Sequence, residues 1–194
     1  MKTKNSGAKS FVIVGLAVLL TLTLAIRPRS AKAGDDRGFT LDVAEDCDPA
    51  TAVVNPVNPL EDTTMNNSVG DTLVVTGSIF PGGTLHTGTQ SNSPGDPGSL
   101  GQWRSRASLI ANWTAQTGFE SSPIAFATMI YTLNNGRDSI MSEGLVPNIG
   151  SATKRVLIGG TGTFSGAAGE VRMENLGTNA TGCFNYRFTF KLKD

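Results

Sequence analysis

Glycine is concentrated in one stretch of this 194-residue chain, VLIGGTGTFSGAAGEV, at residues 156–171. Such a run can hold phosphate on backbone N–H groups, or it can let the chain turn where a side chain would clash. A dinucleotide site needs a strand, glycines spaced G-x-G-x-x-G, a helix and a further parallel strand. Here Gly160, Gly162 and Gly166 have the spacing G-x-G-x-x-x-G, and only 25 residues follow Gly169. We therefore predict a structural turn and no phosphate site.

Few other residues could do chemistry on their own. His86 is the single histidine, so sites built on several histidines are excluded, and its Gly-rich surroundings favour an exposed loop. Carboxylates near Cys47 offer oxygen ligands only, as a hard cation such as calcium would need, but their spacing fits no calcium loop. They are Asp42, Glu45, Asp46 and Asp48. We interpret them as a solvated strand end and predict a protein without metal or cofactor.

Period-two alternation indicates that the elements positioning these residues are strands. In the terminal run CFNYRFTFKLK, apolar residues from Phe184 to Leu192 alternate with polar ones, as in a strand with one buried face. GFTLDVAED alternates likewise, with Phe39, Leu41 and Val43 on one face and Asp42 on the other. DTLVVTGSIF and RASLIANW are further β-rich runs. With almost no helix signal, these runs predict an all-β domain, either a sandwich or a closed barrel.

One further strand carries large apolar residues on both of its faces. In PIAFATMIYTL they are Ile124, Phe126 and Ile130 on one face and Met129, Tyr131 and Leu133 on the other. In a one-layer barrel this pattern predicts that the inner face lines the core while a subunit or another segment covers the outer face. NNGR, at residues 134–137, supplies a hairpin turn into a return strand at 138–146. Residues 48–68 and 81–101 are predicted to be loops.

The N-terminal segment has the layout of a secretory signal peptide. Three lysines precede an apolar run at residues 11–26, and the small residues Ala31 and Ala33 follow it. The run is shorter than the roughly 20 residues that a membrane-spanning helix requires. We expect cleavage before Gly34, which makes residues 1–33 a signal peptide and residues 34–194 a single domain, with retention as an anchor as the alternative. The protein is then secreted or periplasmic, with no stable membrane span after processing.

Removal of that segment changes the charge of the protein. The whole chain has 16 basic and 16 acidic residues, but the six charged residues among the first 33 are all Lys or Arg. The expected mature chain therefore has a net charge of about −6. This acidity argues against nucleic acid as a partner and provides no basic patch for anionic lipid.

The chain has two cysteines, Cys47 and Cys183, near opposite ends of the expected mature protein. In an oxidising compartment, such a pair indicates a disulfide. We predict that these two residues are bonded to each other. Two buried free thiols are the alternative.

The glycine stretch also resembles a family signature. VLIGGTGTFSGAAGEV is similar to the pattern G-G-[TS]-G-x-F-x-x-A-x-G shared by plant dirigent proteins, allene oxide cyclases and bacterial proteins with the same barrel. VGDTL, the strand ending at Leu133 and FNYRFTF follow in matching order, so the resemblance covers roughly residues 70–192. It implies a single eight-stranded antiparallel β-barrel of calycin type, commonly trimeric, whose mouth holds a small hydrophobic substrate. The turn residues are Gly159, Gly160, Gly162, Phe164 and Gly169.

The resemblance also suggests site residues. Allene oxide cyclases carry a pattern like E-x-N-E in their first strand. The residues DVAE can be aligned with this pattern, so that Asp42 matches the acidic residue and Ala44 stands at the position of the asparagine. The interior cysteine of that family has no counterpart near RSRASLI. Dirigent proteins place acidic, arginine and tyrosine groups in the pocket. By this resemblance we expect catalytic roles for Asp42, Arg104 and Tyr131 and ligand contacts from Arg106, Met129 and Tyr186.

Strand alternation bears on the role of Asp42. If Phe39, Leu41 and Val43 line the barrel, Asp42 points outward and is a surface carboxylate. If it points inward instead, burial would raise its pKa and suit it to general acid or base catalysis.

Three functions stay open. The first is a barrel that guides cyclisation or coupling of a small hydrophobic molecule without a cofactor; the second is a lipocalin-like carrier with no turnover; the third is a scaffold or interaction module of the cell envelope. Polar residues clustered at one barrel mouth would favour the first, and an entirely apolar interior the second. An interior filled by the barrel's own side chains would favour the third.

Overall fold

The computed structural model describes residues 37–48, 52–56, 69–87, 92–110 and 125–193. The predicted signal peptide at residues 1–33 and its cleavage position lie outside the described residues. So does most of the predicted loop at residues 48–68. Among the described residues, no helix has the length and apolar character needed to cross a membrane.

Nine strands account for most of the described residues. They are β1 (Arg37–Asp46), β2 (Val53–Asn55), β3 (Thr72–Pro81), β4 (Gly101–Leu109), β5 (Ala125–Leu133), β6 (Asp138–Leu145), β7 (Ala152–Thr161), β8 (Ala168–Thr178) and β9 (Phe184–Lys193). Short 3-10 turns occupy Asn134–Gly136, after β5, and Gly162–Phe164, after β7. The predicted hairpin between β5 and β6 is therefore present, with Asn134 and Asn135 in the left-handed conformation that such a turn requires.

Antiparallel pairing closes eight of these strands into a barrel. Neighbours pair in chain order from β3 to β9, and β1 completes the ring because it pairs with both β9 and β3. Leu41 on β1, for example, lies opposite Phe188 on one side and Pro81 on the other. The predicted eight-stranded antiparallel barrel is confirmed. The short strand β2 pairs only with β3, within a segment that the sequence assigned wholly to a loop.

Alternate residues of each strand fill the interior. On β4, Trp103, Ser105, Ala107 and Leu109 are buried whereas the residues between them are exposed. Aromatic rings pack the centre of the barrel: Tyr131 makes edge contacts with Phe188 and Phe190, at centroid distances of 5.0 and 5.1 Å. Burial of each large apolar side chain contributes roughly 1.5–3 kcal/mol to stability.

The glycine-rich connection between β7 and β8 closes one end of the barrel. Its Phe164 ring lies 5.6 Å from Phe39, which stacks on Phe190 at 4.5 Å. Gly162 has a φ of +62°, and a Cβ there would lie 2.1 Å from the Asp138 Oδ1 atom. That carboxylate accepts a hydrogen bond from the Thr163 backbone N–H, at 2.8 Å, so the turn and β6 are in close contact. The segment therefore bends the main chain tightly under the barrel.

The two cysteines are bonded. Cys47, just after β1, and Cys183, just before β9, form a disulfide with a Cα–Cα distance of 5.4 Å that spans 136 positions of the chain. The predicted pairing is confirmed. The disulfide joins the end of β1 to the start of β9, at the barrel end opposite the glycine-rich turn.

The outer wall carries an apolar patch where the sequence predicts cover for β5. Phe126 on β5 and Val156 and Ile158 on β7 are 43%, 53% and 47% exposed, and Leu145 of the intervening β6 pairs with Phe126. Exposed apolar residues on one side of a barrel are typical of contacts with other proteins, and here Glu143 of β6 lies among them, opposite Val156. The homotrimer implied by the family resemblance stays a prediction.

A charge placed in this patch should separate such a trimer. Ile158→Glu is expected to convert a trimer to monomers, because a carboxylate buried in an apolar contact loses its hydration. Analytical ultracentrifugation of the wild-type and variant proteins measures the change. Lys154→Glu, on the same strand and face but strongly exposed, is the matched control and should leave the trimer intact. A wild-type protein that is monomeric at every concentration would contradict the prediction.

Candidate functional site in the barrel mouth

A small pocket opens at the end of the barrel where β1, β4, β6 and β8 end. It has a volume of about 80 Å³. Ala107 and Ala125 leave this space because larger side chains at these positions would fill it. Trp103, Met129 and Phe184 are among the apolar residues that line it. Pockets that enclose drug-sized ligands typically measure 300–1,000 Å³, so this one has room for one end of a ligand.

The carboxyl group in this pocket belongs to Glu45. Glu45 follows Leu41 and Val43 on the inner face of β1 and is only 7% exposed. Its Oε2 atom accepts a hydrogen bond from the Phe184 backbone N–H at 3.2 Å. Burial raises the pKa of Glu45 to about 7, although the Phe184 N–H and the nearby Tyr186 hydroxyl favour the charged form. A carboxyl with this pKa can both accept and donate a proton near neutral pH.

Two residues of the pocket wall carry buried side-chain polar atoms. Trp103 Nε1 and Asn148 Oδ1 are buried, and neither makes a hydrogen bond of normal geometry within the described residues. Buried polar groups left in this state are costly, and a ligand that pairs with them removes that cost. The Trp103 side chain also interacts with the Tyr131 hydroxyl in the core below the pocket. Tyr186, Ser105 and Asn175 add further polar groups to the same lining.

A buried arginine lies beside the pocket. Arg155 on β7 points into the barrel and donates hydrogen bonds to Ser142 Oγ and to the backbone carbonyl oxygens of Ala127, Gly144 and Leu145, at 2.5–3.2 Å. Gly144 makes room for it, since a Cβ there would lie 3.1 Å from Arg155 atoms. Burial lowers the pKa of Arg155.

Tyr131 lies in the same interior network, below the pocket. Its hydroxyl is 3.1 Å from Ser142 Oγ, which also accepts a hydrogen bond from Arg155. Burial raises the pKa of Tyr131, and the charge of Arg155 opposes that rise. Tyr131 is fully buried among aromatic rings and does not line the pocket, so its placement is that of a core residue.

Asp42 lies on the opposite side of the barrel wall. Its carboxylate accepts hydrogen bonds from the Gly83 and Leu85 backbone N–H groups, at 2.9 and 2.8 Å, and from the Arg187 guanidinium, at 2.8 and 3.0 Å. Leu85 packs with Ala44 and two other apolar residues, so the segment after β3 covers this part of the outer wall. The expectation of a catalytic Asp42 in the pocket is therefore corrected: strand alternation directs it outward, and it is buried under a loop.

The two arginines expected in the pocket also point outward. Arg104 and Arg106 alternate with the inward residues of β4, and both are exposed. Arg104 lines a shallow outer groove with Asp46 and Gln102. They are therefore separated from the pocket by the barrel wall. Of the expected ligand contacts, Met129 and Tyr186 do line the pocket.

The interpretation of Asp42 and Glu45 as part of a solvated strand end is wrong, because both are buried, and sequence reasoning missed Trp103 and Arg155. A signal for Glu45 was present, because it continues the alternation of Leu41 and Val43 on the inner face. Trp103 could be found in the same way from the alternation along β4. Arg155 gave no such signal, because the apolar residues next to it, Val156 and Ile158, face outward.

Comparisons with known proteins bear on the fold. The chain matches no protein-family model and no curated protein. Among solved structures it is similar to a pyocyanin demethylase, with a TM-score of 0.50 and 17% identity over 81% of this chain and 100% of that one. It is also similar to two pterocarpan synthase dirigent proteins. For PsPTS1 the TM-score is 0.55, with 12% identity over 84% of this chain and 100% of that one. For GePTS1 the TM-score is 0.53, with 10% identity over 89% of this chain and 97% of that one. The chain thus has the same antiparallel barrel fold as these dirigent proteins.

Proposed function

We propose that the barrel mouth binds one end of a small hydrophobic molecule and guides its cyclisation or coupling, without a cofactor. The observation that supports this most is the Glu45 carboxyl in a largely apolar pocket. A pocket that restricts a flexible ligand to one reactive conformer lowers the entropic part of the barrier. Glu45 would then transfer a proton to or from the ligand. The similar solved structures named for pterocarpan synthase and pyocyanin demethylase also carry out chemistry on such barrels.

A protein purified from its own source offers a direct test. Native mass spectrometry is expected to detect a small lipophilic molecule bound to the barrel, and that molecule or its precursor is then incubated with the protein to look for conversion. Ala107→Leu should abolish binding, because it fills the pocket. Ser108→Leu is the matched control, since Ser108 lies next on β4 but faces outward. No bound molecule in either protein would contradict the proposal.

The scaffold function is the second candidate, and the packing of the barrel favours it. Trp103, Tyr131 and Phe188 are fully or almost fully buried in the interior, and the pocket at the mouth has a volume of only about 80 Å³. In that case the mouth would bind no molecule, and neither Ala107→Leu nor Glu45→Gln would change any measured activity. A carrier without turnover would bind a ligand and release it unchanged. Binding and conversion measured on the same preparation therefore separate the three functions.

We propose that the protein works outside the cytoplasm. The disulfide between Cys47 and Cys183 supports this placement, because such bonds persist in oxidising compartments. Fractionation of the source cells with thiol labelling tests it: the bond should be intact in protein recovered from the extracytoplasmic fraction. Recovery of the protein in the cytoplasm with both thiols free would contradict the placement.

A further inference from the structure

The turn between β8 and β9 contacts the residue that carries the pocket carboxyl. Asn179 in this turn is 2% exposed, and its side-chain Nδ2 donates hydrogen bonds to the Glu45 backbone oxygen at 2.7 Å and the Phe184 backbone oxygen at 3.3 Å. Its Oδ1 accepts hydrogen bonds from the backbone N–H and the hydroxyl of Thr181, at 2.9 and 2.7 Å. One asparagine side chain therefore joins the end of β1 to the start of β9.

The disulfide joins the same two strand ends. Cys47 follows Glu45 by two residues, and Cys183 directly precedes Phe184, whose N–H binds the Glu45 carboxyl. The backbone pairing between β1 and β9 ends at Ala44, one residue before Glu45. On the β9 side, after the regular strand pairing has ended, Glu45 is thus held by Asn179, Phe184 and the disulfide. The Thr181 hydroxyl, 3.4 Å from the Glu45 backbone oxygen, and the Tyr186 hydroxyl, which hydrogen-bonds the Glu45 carboxyl, add to this support. We call Asn179 together with this disulfide the clasp.

Glu45 needs such support because its position is unfavourable for a carboxyl. An ionised carboxylate in an apolar pocket loses hydration, so a free strand end would turn it toward water. Glu45 on β1 also pairs with Gly77 on β3, which holds its backbone from the other side. Opening the clasp would leave that pairing in place while weakening the support of Glu45 on the β9 side. The expected result is a local movement of Glu45 within an intact barrel.

We propose that the clasp is a positioning device that keeps the Glu45 carboxyl in the pocket, and that a dithiol reductant releases this carboxyl by opening the disulfide. A thiolate of the reductant attacks the Cys47 sulfur, which is the less buried of the two, and Cys183 leaves as a thiolate. The second thiol of the reductant then displaces Cys47. Both cysteines end as thiols and the dithiol ends as a disulfide. Any effect on turnover rests on the proposed function, but the positioning itself does not.

The charged and titratable groups around the mouth are few. Tyr186 on β9 faces the Glu45 carboxyl, and its own pKa is raised well above the ordinary value, by burial and then by Glu45. Arg155 on β7 and Tyr131 on β5 lie deeper and act on each other, and Arg155 also acts on Tyr186. Within the described lining, β3, β4 and β8 contribute no titratable side chain. The titration of Glu45 therefore reports mainly its own burial.

Carbon-13 NMR of the Glu45 side-chain carboxyl tests the proposal, and the Glu45→Gln variant assigns its signal. The wild-type protein should titrate near pH 7. Asn179→Ala, the double variant Cys47→Ala/Cys183→Ala, and wild-type protein treated with dithiothreitol should each titrate about one pH unit or more lower, because the carboxyl reaches water. Reoxidation should reverse the effect of dithiothreitol. Asn185→Ala is the matched control: Asn185 is equally buried on β9 but makes no hydrogen bond to Glu45, and its replacement should cause no shift.

The outcomes are distinguishable. An unchanged titration of Glu45 in folded Asn179→Ala and in the reduced protein would overturn the proposal. Unfolding of the whole barrel on reduction, seen by circular dichroism, would also overturn it, because the disulfide would then hold the fold and not the position of Glu45. None of these measurements uses a ligand. If the protein neither binds nor converts a ligand, the titration result is unaffected. If the titration of Glu45 is unchanged in the variants, the test of ligand binding and conversion is unaffected.

Discussion

Asp42→Ala is expected to lower the free energy of unfolding by about 3 to 5 kcal/mol, although Asp42 lies outside the pocket. The carboxylate is completely buried and accepts four hydrogen bonds, two of them from the Arg187 guanidinium. Its removal leaves the Gly83 and Leu85 N–H groups without their acceptor. It also leaves the charge of Arg187 without its partner. Chemical denaturation followed by circular dichroism measures the loss.

The loop after β3 explains why one residue has so large an effect. Arg187 Nη2 also donates a hydrogen bond to the Leu85 backbone oxygen, at 2.7 Å, so Asp42 and Arg187 together fasten this loop to the barrel wall. Leu85 then covers Ala44 and Phe80. The loss of Asp42 would expose this apolar cluster in addition to the unpaired polar groups.

Asp46→Ala is the matched control for Asp42. It lies on the same strand and face, is only partly buried, and accepts a local hydrogen bond from the Asp48 N–H. Its replacement is expected to change stability by less than about 1 kcal/mol, as is usual for surface positions. Equal denaturation midpoints for Asp42→Ala and the wild-type protein would contradict the structural role assigned to Asp42.

Glu45→Gln is expected to make the protein more resistant to unfolding at alkaline pH, relative to the wild type. The folded-state pKa of Glu45, about 7, lies above the ordinary value of 4.5. Below pH 4.5, both the folded and unfolded states hold the proton and burial carries no ionic penalty. Between pH 4.5 and 7 the unfolded chain ionises first, so wild-type stability falls as pH rises. Above pH 7 the loss is complete, on the order of 3 kcal/mol, because each pKa unit corresponds to about 1.4 kcal/mol.

The difference in unfolding free energy between Glu45→Gln and the wild type isolates this effect, because the other carboxylates are common to both proteins. It should increase in favour of the variant from pH 4 to pH 8. Glu170→Gln serves as the control, since Glu170 is partly exposed and pairs with Lys154 on the surface. Removal of that surface carboxyl should not reproduce the increase seen with Glu45→Gln. Parallel pH curves for Glu45→Gln and the wild type would show that Glu45 is not buried in solution.

Burial also sets which residue could act on a ligand. Asp42 and Glu45 are three positions apart on β1 and both are buried, but they lie on opposite faces of the strand. Asp42 is paired with an arginine, whereas Glu45 faces apolar groups and a tyrosine. A carboxyl side chain can therefore stabilise the fold on one face of the strand, whereas a carboxyl on the other face is placed to transfer a proton.

Local patterns in the amino-acid sequence were sufficient to predict several features of the structure. Period-two alternation of apolar and polar residues predicts β1 and β9, because the side-chain period of a strand depends only on the backbone. The two cysteines predict their own disulfide, because no other pairing exists within the chain. The glycine spacing excludes a dinucleotide fingerprint, and Phe164 does pack under the barrel.

Other features depend on contacts between distant segments. Alternation shows that Asp42 faces outward, but only the loop that folds over it makes it a buried partner of Arg187. On β7, the pairing with β6 shifts by one residue, so that Ser142 lies opposite Leu157 while Met141 lies opposite Gly159. Ile158 is the extra residue of this bulge. The shift places Arg155 and Leu157 inside and leaves Val156 outside, which the order of residue types does not indicate.

The residue order of this chain is thus enough to predict its strands, its disulfide and its tight glycine turn, because each follows from the backbone geometry of a few neighbouring residues or from the number of cysteines. The identity of the pocket carboxyl, the buried arginine beside it and the clasp that holds it depend on tertiary structure. They arise where β1 meets the β8–β9 turn, more than 130 positions away along the chain, so the burial that gives Glu45 its pKa exists only in the closed barrel.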